Sequence, residues 1–134
     1  MNRLIACLAL CGLVSPAPAA SLKNSARKAE KNGWIYVHLE GTPAEIGFQN
    51  GFHLAQEIKE LQKITALELT HDTGKDYAFF RAAAEKRLWP RIEQEYREEL
   101  QGIVEGLAAK YVNLDIWDIV VMNASLELNG YYTD

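Results

Sequence analysis

The run Gly41-Thr42-Pro43-Ala44-Glu45, with the small residues that follow it, constrains the fold of this chain more than any other feature. Thr42 is placed to cap the first free backbone amides of a helix, Pro43 suits the first helical position, and Glu45 completes a capping box. The pattern predicts a helix from about Pro43 to about Leu69. Within it Gly47, Gly51 and Ala55 recur every four residues and lay a small-residue groove along one side. A glycine inside a helix costs about 1 kcal/mol relative to alanine. Two at this spacing predict another element packed very close against them. Gly102 and Gly106 repeat the device further along the chain.

The other elements follow from periodicity. Trp34 to Leu39 alternates, with Ile35, Val37 and Leu39 on one face and Trp34, Tyr36 and His38 on the other. A strand with a buried aliphatic face and a covered aromatic face is expected. Thr70 to Lys75 reads as a loop, and a second helix begins near Asp76. Trp89-Pro90 should kink or break it, since Pro90 lacks an amide hydrogen. A third helix, about Pro90 to Lys110, places Ile92, Tyr96, Leu100, Ile103 and Leu107 on one stripe. The last helix, about Asp115 to Leu128, is apolar nearly all round and should be buried on most sides. These are four helices and one lone strand, whose edges nothing else in the chain can satisfy. A mainly helical α+β chain belonging to a larger sheet-containing fold is the expectation.

The N-terminus bounds the compartment. Met1-Asn2-Arg3, an apolar run from Leu4 to Val14 and the small residues up to Ala20 have the order of a secretory signal peptide, cut after Ala19 or Ala20. Residues 1–20 are therefore read as a signal, and export to the periplasm or the cell exterior is expected. The apolar run is too short for a stable membrane anchor. Cys7 and Cys11, the two cysteines of the sequence, both lie inside the signal, so the mature segment has no disulfide and no cysteine metal site. Residues 21–32 are polar, with Lys23, Arg27, Lys28 and Lys31, and read as a solvated leader or frayed helix. The formal charge of -4 becomes about -5 once Arg3 leaves with the signal. An acidic chain with interspersed charges gives no electrostatic case for nucleic acid.

Few side-chain patterns suggest chemistry. Asp72-Thr73-Gly74 matches the aspartic-protease tripeptide, but a helix precedes it and there is no second copy, so it reads as a turn. His38, His53 and His71 have no spacing that would place two on one metal, and His53 and His71 read as solvated. No metal site and no cofactor is expected. Asn123-Ala124-Ser125 is a formal glycosylation triplet on a helix expected to be buried. Asn123 and Glu127, one turn apart, form the one polar face of that helix. An unpaired buried polar group costs about 1–3 kcal/mol, so both need partners. They are either a structural hydrogen-bond pair or the polar wall of an active site.

Four pieces of the chain carry a resemblance. Glu40-Gly41-Thr42-Pro43-Ala44-Glu45-Ile46-Gly47-Phe48-Gln49-Asn50-Gly51 resembles the opening motif of the autoproteolytic acyltransferase/hydrolase family, which contains acyl-coenzyme A:isopenicillin-N acyltransferase and is related to the phospholipase-B-like proteins. Trp89-Pro90 follows, then Glu98 to Gly106, then Asp118 to Asn123 with Glu127 four residues on. The likeness spans about Tyr36 to Leu128. It implies an N-terminal-nucleophile hydrolase, a four-layer αββα sandwich that cuts itself. A cysteine after the cut then attacks an amide or ester carbonyl, with its own α-amino group as base.

In that frame residues 33–134 form the N-terminal, non-nucleophile segment of an incomplete hydrolase domain. The family's nucleophile and oxyanion hole should lie beyond Asp134, so no catalytic residue is assigned to this chain. Alone it is expected to be inactive. Its partner would be the rest of the same precursor, and the complete protein would act on a small acylated substrate. The rival reading is a self-contained helical exported binding protein. Another rival, a lipid-associated protein using the last helix, lacks the Lys/Arg face such a helix needs.

Overall fold

The computed structural model describes residues 22–133; the signal-peptide reading of residues 1–20 lies outside them. The described chain is mainly helical. It comprises a small antiparallel hairpin of β1 (Ala26–Arg27) and β2 (Val37–His38), then α1 (Pro43–His53), α2 (Ala55–Thr73), α3 (Tyr77–Ala83), α4 (Gln94–Ala109), α5 (Ile116–Asn123) and α6 (Ser125–Tyr132). Between α3 and α4 the chain makes a π turn, Ala84–Leu88, and a 3-10 turn, Trp89–Arg91.

The expected cap of α1 forms in full. Glu45 N–H donates to Thr42 Oγ1 at 3.4 Å, and Thr42 N–H donates to Glu45 Oε2 at 2.9 Å. Gly41 sits at φ +146°, where a Cβ would lie 2.7 Å from Glu45 Oε2, so a side chain there would push the cap apart. Gln49, 1% exposed, clasps the chain before the cap by accepting from Glu40 N–H and donating to Glu40 C=O, both at 2.9 Å.

The close partner predicted for Gly47 and Gly51 is α4, and it brings its own glycines. A Cβ on Gly47 would lie 1.9 Å from the carbonyl oxygen of Glu99, and one on Gly51 would lie 2.1 Å from that of Ile103. In return a Cβ on Gly102 would meet Ala44 O at 2.3 Å, and one on Gly106 would meet Phe48 O at 2.2 Å. The two backbones touch without intervening side chains, the arrangement that small-xxx-small spacing permits. Contacts advance in the same direction along both helices, so α1 and α4 run parallel.

Several expected boundaries move. The single helix from Pro43 to Leu69 is two helices meeting at Leu54 (φ -114°, ψ 23°). No proline or glycine sits at Leu54. The turn there lets α1 stay on α4 while α2 packs against α5 and α6. The expected loop from Thr70 lies mostly inside α2, which ends at Gly74 in the left-handed conformation (φ +67°). The helix expected from Pro90 begins at Gln94, because Ile92 is extended after the proline-bearing turn. The last helix breaks at Ala124 (φ -106°, ψ 16°) into α5 and α6. As expected, the segment after Asp76 starts a helix, with Asp76 accepting from Phe79 N–H at 2.8 Å.

The expectation of one lone strand is corrected. The segment expected to be leader or frayed helix supplies β1, and Ala26 pairs with His38 and Arg27 with Val37. The turn between them puts Asn32 at φ +55° and Gly33 at φ +80°, inside an isolated bridge between Lys31 and Trp34. Asn-Gly is the strongest short hairpin signal in any sequence, because both residues tolerate positive φ. The aliphatic face of the 34–39 stretch is half-buried, less than expected. Its aromatic face is not covered: Trp34 is 69% and Tyr36 55% exposed.

Two apolar clusters make the core. One joins Leu69, Phe80, Ala83, Ala84, Val120, Val121 and Leu128; the other joins Ala55, Ile103, Leu107, Val112 and Ile119. Helix α5 enters both, which is why its sequence is apolar on most sides. Replacing Gly51 or Gly106 with alanine should destabilise the chain by about 3 kcal/mol, the upper range of overpacking, because the obstacle is backbone. Gly130, in α6 with nothing within 4 Å of its absent Cβ, should gain up to about 1 kcal/mol on the same change. Urea unfolding of the three variants measures the contrast.

Candidate functional site

The placement of α5 determines what the polar residues can do. Asp115 caps the helix, accepting from Trp117 N–H at 2.9 Å and Asp118 N–H at 3.3 Å, while Asp118 accepts from Asp115 N–H at 3.1 Å. Arg81 of α3 then reaches both carboxylates, Asp118 Oδ1 at 2.5 Å and Asp115 Oδ2 at 2.6 Å. Burial pushes the Asp115 carboxyl up, but the Arg81 guanidinium and the two capping amides outweigh it and hold it below the ordinary value. Sequence reasoning missed this clamp. Its one legible trace is the Asp115-x-x-Asp118 spacing of a capping box; nothing in the sequence points to Arg81.

Trp89 also finds a partner on α5. Its ring meets Trp117 edge to face at 5.7 Å between centroids, and the Arg97 guanidinium lies over it at 5.1 Å. Arg97 Nε donates to Ile92 C=O at 2.8 Å, satisfying a carbonyl left free by the break after Pro90.

Asn123 and Glu127 lie on opposite sides of the break at Ala124, and both are exposed. Asn123 Nδ2 donates to Ile119 C=O at 2.9 Å, inside its own helix. The two side chains do not bond each other, but they line one cleft of about 330 Å³ with Leu88, Arg91, Ile92, Leu100, Val120 and Ala124. A second cavity of about 460 Å³ shares Leu88, Arg91 and Glu127 and adds Ala83, Arg87, Leu128, Tyr131 and Tyr132. The walls are apolar and the rim carries two guanidiniums and one carboxylate. Among the described residues no group of His, Cys, Asp and Glu is placed to hold a metal ion, and no helix is long and apolar enough to cross a membrane.

Gly41, Thr42, Pro43, Glu45, Gly47 and Gly51 are brought together as cap and close-packing surface, away from this cleft. Asp72-Thr73-Gly74 closes α2, with Asp72 accepting from Asn129 Nδ2 at 2.8 Å. His53, expected to be solvated, is half-buried at the α1–α2 junction, with Nε2 2.9 Å from Ser25 Oγ. Its C=O accepts from Arg27, whose guanidinium also pairs with Glu57 at 2.6 Å. These contacts fasten the first strand of the hairpin to the α1–α2 junction.

No protein-family model matches this chain, and no solved structure matches it. Similarity is found to an uncharacterized protein of Archaeoglobus fulgidus, 23% identical over 141 residues. That match takes in 96% of this chain and 24% of the relative, so the chain spans about a quarter of the relative's length.

Burial, then the nearby charges of Arg27 and Lys110, hold the His53 imidazole below its usual value of 6.5. The unfolded chain therefore binds this proton at higher pH than the folded chain does. The stability His53 contributes is present above about pH 6.5 and is lost as pH falls towards its folded value. Thermal unfolding between pH 7.5 and 5.5 should show this loss in the natural chain and a flatter profile in His53→Gln; identical profiles would remove His53 from the account.

Proposed function

We propose that this chain is the N-terminal segment of an exported, self-cleaving amide or acyl hydrolase, or an acyltransferase working through the same acyl-enzyme. In this reading its helices form one outer layer of an αββα sandwich. The remainder of the same precursor supplies the sheets and the nucleophilic cysteine, beyond residue 134, and the complete protein acts on a small acylated substrate. The chain itself contributes scaffold, carries no catalytic residue and requires no cofactor or metal. Its signal sequence directs it to the periplasm or the exterior.

The observation that carries the reading is spatial. The stretches that bear the resemblance are far apart in sequence, yet they interlock: Gly47 and Gly51 of the first sit on the backbone at Glu99 and Ile103 of the third, and Gly102 and Gly106 of the third on that at Ala44 and Phe48. Trp89 of the second rests on Trp117, one residue before the fourth begins. Motifs that serve one packing arrangement are what a shared scaffold requires. The relative's length supports the same view, since most of it lies outside the matched quarter.

A second reading, a self-contained helical exported binding protein, is favoured by the pairing of β2 with β1, which gives that strand a partner within this chain. Expression of the gene read through past codon 134 separates the two. The hydrolase reading expects a cysteine within a few tens of residues, two chains on a denaturing gel, and an uncut precursor when that cysteine is changed to alanine. Hydrolysis of an acyl-amide substrate should then fall by at least about a thousandfold. Persistent cutting in the alanine variant removes the mechanism. A monomeric, cooperatively melting Ser21–Asp134 with no such continuation favours the binding protein.

A further inference from the structure

We propose that the cleft between residues 84–91 and the α5–α6 junction binds a single-chain anionic amphiphile, its apolar tail inside and its carboxylate or phosphate head on Arg87 and Arg91. The two cavities there share Leu88, Arg91 and Glu127 and adjoin as the two parts of a trough. Each part, about 460 and about 330 Å³, is of ligand size. Its walls are aliphatic and aromatic, with Leu88 at the centre and Val120 and Leu128 from the core behind it.

The charge at the rim selects the head group. Arg27 is paired with Glu57, Arg81 with Asp115 and Asp118, and Arg97 lies against Trp89. Among the described residues, by contrast, no carboxylate lies within ion-pairing distance of Arg87 or Arg91. Arg91 is nevertheless held: its Nη1 donates to Arg87 C=O at 2.8 Å. The bond lies at the irregular turn where Pro90 has no amide hydrogen to continue the helix ladder. Two unpaired guanidiniums four residues apart, one of them fixed by the backbone, form a fork for an anion's oxygens. Glu127, the single carboxylate on the trough, disfavours a head seated deeper than the rim.

The inference rests on this chain's own cleft and uses none of the chemistry of the reading above, so failure to bind and failure to self-cleave are separate results. The test is calorimetric titration of the intact exported chain with dodecanoate, dodecyl phosphate and the uncharged dodecyl maltoside, each below its micelle concentration. Saturable binding of one anionic molecule per chain, at least about tenfold tighter than the maltoside, is expected. Added salt should weaken the anions alone. Preference for dodecanoate assigns a carboxylate head, and preference for dodecyl phosphate assigns a phosphate monoester. The double variant R87Q/R91Q should lose the preference for anions while still melting cooperatively, both side chains being exposed, and E127Q should bind the anions more tightly. Equal affinity for all three probes would mark a mere apolar docking face and overturn the proposal. So would the absence of saturable binding, or a double variant that keeps its preference.

Discussion

Helices α1 and α4 meet backbone to backbone, and the rest of the described structure is arranged around that meeting. Gly47, Gly51, Gly102 and Gly106 leave carbonyl oxygens of the facing helix where side chains would otherwise stand. A contact of this kind has almost no slack, since flexible side chains can move aside and a carbonyl within a helix ladder cannot. It also fixes direction. With α1 and α4 parallel, the chain between them must travel back, and α2, α3 and the irregular turn from Ala84 to Arg91 make that return. Leu54 is where the path leaves the glycine contact, and the departure needs no breaker residue because packing on both sides imposes it.

Helix α5 is the second organising element, and it depends on the first. It lies where α2, α3 and α4 leave a trench, and it feeds Val120 and Val121 to one apolar cluster and Ile119 to the other. The Arg81 clamp on Asp115 and Asp118 sets its N-terminal end with charge-assisted bonds on a carboxylate pair that already caps the helix. At the other end the break at Ala124 faces the irregular turns around Pro90. The trough lies between them. A groove with unpaired cations on its rim forms here because two helix ends face each other without the side-chain interdigitation that regular helices provide.

The hairpin stands apart from this core. Its tie to the helices is a small polar cluster, Arg27 with Glu57 and Ser25 with His53, and its outward face shows Trp34 and Tyr36 to solvent. Leu61, Ile64 and Leu67 of α2 are exposed as well.

The elements decided by neighbouring residues were legible in the sequence. The cap at Thr42 and Glu45, the helix start at Asp76, the break at Pro90 and the buried character of α5 all follow from residues within one turn of each other. The Asn32-Gly33 turn was equally local, and the hairpin could have been read from it. What the tertiary structure alone decided were relations between distant residues: that the two glycine pairs face each other, that Arg81 reaches Asp115 and Asp118, and that helices bend at Leu54 and Ala124. Asn123 and Glu127 illustrate the difference. Their spacing promised a shared face on one helix, yet the bend separates them and a cleft reunites them. Helical periodicity describes a helix only as far as the helix is straight, and where it stops being straight is set by what packs against it.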